Sequence, residues 1–313
     1  MSLSIIFSCA LISDAALREY FAADDFVLTE GQQMIVDGWD LDIHVRAADT
    51  ELVRCSTDLR ISGTGADTAD QWVASRIPHF TEDDKGLQVG LQSSEDGFLG
   101  LGKYMRRSRI GLLTPLWVIP DVTTSTGLID IWGDFSLADP MRLRSSTGNI
   151  TFRGAAASIE IRTTSGNTLM DVVRPLNRLW ARTSSGTLQL SGGAKNIEIE
   201  TASGSVTLAG LSGSASVETV SGEIIIAWDR LPKDVVVTLR TSKGDIHVTL
   251  PPESRPSGRL TTVTGEILSE FPGEIGIEGD TVLLTGDGPT LEIETASGAL
   301  TLAKSKGWFA PEK

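Results

Sequence analysis

The sequence predicts an all-β fold: a parallel β-helix-like solenoid of about nine rungs with a small α+β cap at its N-terminal end. Three observations predict it. A phrase, Thr-x-Ser/Thr-Gly followed by an apolar alternation, recurs between residues 123 and 298. Its glycines are Gly127, Gly148, Gly166, Gly186, Gly204, Gly222, Gly244, Gly265 and Gly298, and most neighbours lie 18 to 22 residues apart. A fixed period near 20 marks a solenoid, in which no rung buries its apolar face alone. The residues flanking each glycine fall into apolar columns. Finally, 40% of the chain is hydrophobic but only 6% aromatic, which suits a core of Val, Ile, Leu and Thr.

With each motif glycine as position zero, Ile129, Ile150, Thr168, Leu188, Val206, Ile224, Ile246, Ile267 and Leu300 stand two residues later. Ile131, Phe152, Met170, Leu190, Leu208, Ile226, Val248, Ser269 and Leu302 stand four later. Val122, Leu143, Ile161, Ala181, Ile199, Val217, Leu239, Leu260 and Ile293 stand five earlier. Period-two alternation on both sides of a Ser-Gly corner gives two half-buried strands per rung. The glycine frees the corner, where a Cβ would clash. The threonine three residues before it (Thr163, Thr183, Thr201, Thr219, Thr241, Thr295) falls on the inner side, where stacked hydroxyls can hydrogen-bond along the axis. Segments of varying length, such as SGGAKN and PPESRPSGR, are loops on one side.

Two places break the pattern. The gap from Gly265 to Gly298 is 33 residues and predicts one degenerate rung or a closing hairpin. Trp308-Phe309, apolar and terminal, predicts a tail that helps cap the strand edges that a solenoid end leaves raw.

The N-terminal third differs. MSLSIIFSCALISDA admits two readings: an export signal with an apolar core over Leu3–Ile12, or an ordinary buried strand or helix. Ile6-Phe7-Ser8-Cys9 is similar to a lipoprotein box, with Cys9 as the lipidated residue. WDLDIHVRA is a strand with Leu41, Ile43 and Val45 inward, and ELVRCSTDLRIS reads as its partner. Ala66 to Ile77 carries Trp72, Val73 and Ile77 at helical spacing. Leu87 to Leu91 is a further strand. The domain reading is 1–26 export signal or extension, 27–120 capping region, 121–304 solenoid and 305–313 tail.

These elements in this order resemble the bacterial putative-adhesin family, a domain of unknown function built from sGdI-type β-repeats. The resemblance rests on DLDIHV, DKGLQVGL, LWVIP, the T-x-S-G series and GDGPTLEIETASGALTL, and spans roughly residues 35 to 304. It implies a right-handed coil, a cell-envelope or surface location, and a role in adhesion or envelope sensing. It implies no catalytic residue.

The net charge of −14 excludes a general nucleic-acid binder, which needs a basic surface. It also opposes generic adsorption to anionic membranes. No run of 18 apolar residues predicts a transmembrane helix. Two cysteines, Cys9 and Cys55, supply no disulfide framework. Gly97 to Lys103 has phosphate-loop spacing, but Tyr104 stands where Ser or Thr would hold magnesium. Lys103, Arg106, Arg107 and Arg109 cluster in a glycine-rich stretch read as a loop, a candidate contact for an anionic surface. Asp40, Asp42 and His44 share one strand face, but three side chains in line rarely share a metal, and no metal or cofactor is expected.

Four residues before each glycine lies an outward column in which Arg144, Arg162 and Arg182 form a candidate ligand-facing row. Adjacent like charges cost ~0.2–1 kcal/mol unless compensated. An acidic polysaccharide could compensate them, and so could neighbouring glutamates. The expected function is a non-catalytic envelope or surface scaffold whose partner is an envelope polysaccharide or another envelope protein. The alternatives are a carbohydrate-active β-helix lyase or hydrolase and a self-assembling solenoid. The expected location is the envelope or exterior, or the cytoplasm if the N-terminus is no signal.

Overall fold

The computed structural model describes residues 16–91, 105–135, 140–276 and 280–306. Cys9, Lys103, the phosphate-loop-like segment and the Trp308-Phe309 tail lie outside the described residues. The chain divides into two compact units, Met1–Gly154 and Ala155–Lys313.

The first unit contains β1 (Ala16–Phe26), β2 (Gln33–Asp37), β3 (Asp42–Ala48), β4 (Val53–Thr64), α1 (Ala66–Ala74), β5 (His79–Asp83), β6 (Gly86–Gly90), β7 (Met105–Pro115), β8 (Pro120–Thr124), β9 (Ile129–Asp134), β10 (Pro140–Ser145) and β11 (Ile150–Ala155). One sheet runs β1-β4-β7-β3-β9-β11 and the other β5-β6-β2-β8-β10. Pairing of β3 with β7 and β9, and of β8 with β2 and β10, is parallel. The alternation buries Ile43, Val45, Ile129, Ile131 and Phe152 from one sheet and Met34, Val36, Val122 and Leu143 from the other.

Beyond these strands the direction reverses: β4 is antiparallel to both β1 and β7, and β5 to β6. The expected pairing of ELVRCSTDLRIS with WDLDIHVRA is therefore corrected. Chain neighbours usually pair, but both edges of β3 are already occupied by β7 and β9. Residues 16–26 of the sequence-defined extension form β1. Helix α1 ends at Ala74, three residues short of the expected stop, and buries Ala69 and Trp72.

The second unit contains β12 (Ser158–Thr163), β13 (Thr168–Val172), β14 (Leu176–Ser185), β15 (Leu188–Ser191), β16 (Ala194–Ser203), β17 (Val206–Leu211), β18 (Ser214–Ser221), β19 (Ile224–Trp228), β20 (Val236–Lys243), β21 (Ile246–Leu250), β22 (Ser257–Thr264), β23 (Ile267–Ser269), β24 (Gly273–Ile275), β25 (Thr281–Thr285), β26 (Thr290–Ser297) and β27 (Leu300–Lys304). One sheet runs β13-β15-β17-β19-β21-β27-β23 and the other β12-β14-β16-β18-β20-β26-β22-β25-β24.

From β12 to β21 the rungs stack in chain order. Then the order breaks. The rung β26–β27 lies between β20–β21 and β22–β23, parallel to both. The hairpin-like pair β24–β25 continues antiparallel from β22. The gap before Gly298 is thus a closing hairpin followed by a regular rung slotted into the stack.

The glycine column explains the register. A Cβ on Gly204 would lie 2.0 Å from the Gly186 carbonyl oxygen, and one on Gly222 would lie 2.3 Å from that of Gly204. The same contact joins Gly244 to Gly222, Gly298 to Gly244, and Gly265 to Gly298, at 2.2, 2.1 and 2.0 Å. Most of these glycines are required by the neighbouring rung's backbone rather than by a left-handed φ.

The threonine column is buried, as expected. Where its hydroxyls have partners, however, these are backbone groups, glycine carbonyls among them, rather than one another. Thr295 Oγ1 donates to Gly244 O at 3.1 Å and Thr262 Oγ1 to Gly298 O at 3.1 Å. Thr201 and Thr219 have buried Oγ1 atoms with no partner among the described residues.

Candidate functional site

The outward face of the second unit carries the charged column. By strand register it reads Arg162, Arg182, Glu200, Glu218, Arg240, Glu294 and Thr261. Arg162 and Arg182 are direct neighbours but turn to different partners. The Arg162 guanidinium lies 5.0 Å from the Trp180 ring centroid, and Arg182 Nε lies 3.3 Å from Glu200 Oε2. Arg240 sits among Glu218, Glu292 and Glu294 at 3.6, 3.9 and 3.8 Å. Arg178 donates to Glu198 at 3.0 Å. Glu200 and Glu218 border an open groove of about 430 Å³. Both are about half exposed and faced by arginines, so neither has the dry surroundings that proton donation by a carboxyl group uses.

In the first unit, Arg144 donates to Asp121, also across neighbouring rungs. The three sequence-predicted arginines are therefore all engaged. Asp40, Asp42 and His44 also have separate structural partners. Asp40 accepts from Arg76 at 2.7 Å, Asp42 accepts from the Leu128 backbone N–H at 2.9 Å, and His44 Nδ1 lies 3.2 Å from Asp130 Oδ2. No group of three metal-ligating side chains occurs among the described residues.

The basic stretch is not a loop over its described part. Arg106, Arg107 and Arg109 lie on β7, where Ile110 and Leu112 alternate inward. The preceding glycines hide this strand from a composition-based reading. Arg107 lies 3.5 Å from Asp58, and register sets Arg109 between Asp58 and Asp42. The adjoining β1–β4 face is similarly paired: Arg54 donates to Asp25 at 2.7 and 2.8 Å, and that hydrogen bond holds the Asp25 carboxyl below its ordinary range. Burial pushes the Cys55 thiol far up, so it is no nucleophile in the folded chain.

Two further features escaped the sequence reading. A groove of about 410 Å³ is lined by Met34, Trp117, Ile119 and Pro120, with Glu30 and Asp121 at its polar margin. On the other sheet, Arg46 of β3 stands beside Trp132 of β9 in register, with its guanidinium 4.6 Å from the ring centroid. Trp132 is 56% exposed. The available signal was position plus five of the rungs, where Trp132 and Arg153 follow Gly127 and Gly148.

The repeat geometry, the capped corner glycines and the paired outer faces agree with a match between residues 37–274 and the family model described as Toastrack DUF4097. The chain belongs to the Toastrack DUF4097 family. Two solved structures share this Toastrack architecture at low identity. One, from Parabacteroides distasonis, is named a putative lipid binding protein; it is 13% identical, covers 94% of this chain and 97% of its own, and has a TM-score of 0.51. The other, from Parabacteroides merdae, is named a putative adhesin; it is 12% identical, covers 91% and 96%, and has a TM-score of 0.50. No curated protein matches the sequence. Among the described residues, no helix is long and apolar enough to cross a membrane.

Proposed function

We propose that this Toastrack chain is a non-catalytic scaffold of the bacterial envelope or surface that presents broad sheet faces to an envelope polysaccharide or another envelope protein. The observation that carries this reading is the self-compensation of the outward columns. Arg182, Glu200, Glu218, Arg240 and Glu294 are satisfied across rungs, so the repeat is committed to holding a surface in register rather than to activating a reactant. The adhesin and lipid-binding names of the two structural neighbours support an envelope setting. The same reading takes the coil as right-handed, with the N-terminal strands and α1 as its cap. Self-assembly through the C-terminal strands is disfavoured, because β23 and β24 are only three residues long and short edge strands resist pairing.

A carbohydrate-active enzyme is the competing reading, favoured by the adjacency of Glu200 and Glu218 in one groove. One experiment separates them. The native chain is located by cell fractionation, and the purified protein is incubated with isolated envelope polysaccharide. The scaffold reading expects recovery in the envelope fraction and retention on the polymer with its length unchanged. Shortened polymer, with cleavage lost in Glu200→Gln or Glu218→Gln, would establish the enzyme instead; a purely soluble chain that retains on no envelope material overturns the scaffold.

A further inference from the structure

We infer that Arg46, Trp132 and Arg153 form a binding platform for a carboxylated saccharide, such as a uronic-acid unit of an acidic polymer. This deepens, and rests on, the reading of the chain as a binding scaffold.

The three residues come from three successive strands, β3, β9 and β11, of one sheet in the first unit. Arg46 pairs in register with Trp132. Trp132 and Arg153 hold the same motif position, five residues after Gly127 and Gly148. The residues that follow them are stacked as well: a Cβ on Gly154 would lie 1.9 Å from the Gly133 carbonyl oxygen. The result is an aromatic ring in a column flanked by arginines, all on the solvent side of the sheet. With 56% of Trp132 exposed, the guanidinium stacked at 4.6 Å leaves much of the indole open.

The charge is available too. The Arg46 guanidinium lies over the indole. Arg153 reaches one carboxylate, Asp130, at 3.8 Å, and His44 also contacts that carboxylate. Two guanidinium groups thus flank the indole in a chain of net charge −14. In the second unit the same motif position holds Asp171, Ser191, Ala209, Ala227, Thr249, Glu270 and Ala303, with neither aromatic nor cation.

The platform is also preorganised. Gly133 follows Trp132 at φ +132, and a Cβ there would come within 2.6 Å of Ala47 Cβ. The backbone of β9 is pressed against β3 where it presents the indole, so little ordering remains to be done on binding.

The ligand class follows from the chemistry. An exposed indole stacks on the apolar C–H face of a sugar ring, as it does on other flat partners. A guanidinium beside it matches a carboxylate with a two-pronged hydrogen bond. A neutral sugar would use the ring alone.

Binding of the full-length chain to tetragalacturonate is followed by tryptophan fluorescence and calorimetry, with a neutral galactan oligomer of equal length and vesicles of anionic phospholipid as comparators. We expect saturable binding to the uronate, little to the neutral oligomer or vesicles, and weakening with added salt. Trp132→Ala should weaken it about tenfold or more, and Arg46→Gln and Arg153→Gln severalfold each. Lys233→Gln, which removes an exposed cation of the second unit paired with Asp287, should leave it unchanged. Circular dichroism confirms that each variant is folded. Equal affinity for the neutral oligomer, preference for vesicles, no uronate binding, or binding indifferent to Trp132→Ala overturns the assignment. Envelope retention of the same variants separates the two readings. A chain that fails on the uronate yet stays on the envelope loses only this platform, whereas one that binds the uronate but is absent from the envelope loses the scaffold role.

Discussion

The rungs from β12 to β21 and the rungs beyond them obey the same contact rules but different chain orders. In the first stretch each rung lies beside its predecessor in sequence. In the second, β26–β27 separates β21 from β23 and β20 from β22. Yet the inserted rung makes the standard glycine contact on both sides, to Gly244 and to Gly265. The difference teaches that the T-x-S-G phrase encodes lateral fit rather than succession. Glycine admits the neighbouring backbone, the apolar columns fill the interior, and any rung carrying them fits beside any other.

That comparison can be broken most forcefully at the glycines. Gly204→Ala and Gly298→Ala should each destabilise by about 3 kcal/mol or more, since the new methyl meets a carbonyl of a fixed strand rather than a movable side chain. Gly298→Ala should be the worse, because Gly298 also adopts φ +154. Urea denaturation measures both; a loss below about 1 kcal/mol at either site would show that the stack gives way there.

A smaller contrast lies in the threonines. Thr295→Val removes a hydrogen bond to Gly244 and should cost about 1 kcal/mol. Thr201→Val replaces a buried hydroxyl with no partner, and should be neutral or stabilising. Equal losses in the same denaturation experiment would mean that the hydroxyls do not distinguish the inserted rung from the ordered ones. The smallest effect is expected at the charged column. Arg240→Gln should change stability by less than about 1 kcal/mol, with the difference shrinking as salt is added, because Arg240 and its three glutamates are half exposed.

Much of this was legible in the sequence because the repeat is a local code. The burial of Ile129, Leu188, Val206 and Ile224, the inward threonines and the outward arginine column all follow from counting along one rung. The slot occupied by β26–β27 does not, since equal motifs fit at several positions and nothing within one rung tells them apart. The β4 pairing failed for a related reason: alternation marks a strand but not its partner. The residues of β7 were obscured by glycines before them. The platform around Trp132 combines positions from three separate stretches of chain, Arg46 among them outside the recognised repeat, so no single rung displayed it.

The interleaved rung also bears on biosynthesis. A stack built in chain order could grow as the polypeptide leaves the ribosome, each rung folding onto the one already made. Here residues 257–269 are synthesised before residues 290–304 but must finish one position further out. Until the later segment emerges, β20–β21 presents an open edge with the same register code as the edge that β22–β23 ultimately joins. The nascent chain therefore faces a choice between premature pairing, which must later be undone, and waiting with a free edge. The inserted rung thus adds a non-sequential closure to a stack whose other rungs pair with near neighbours, and such longer-range pairing slows folding.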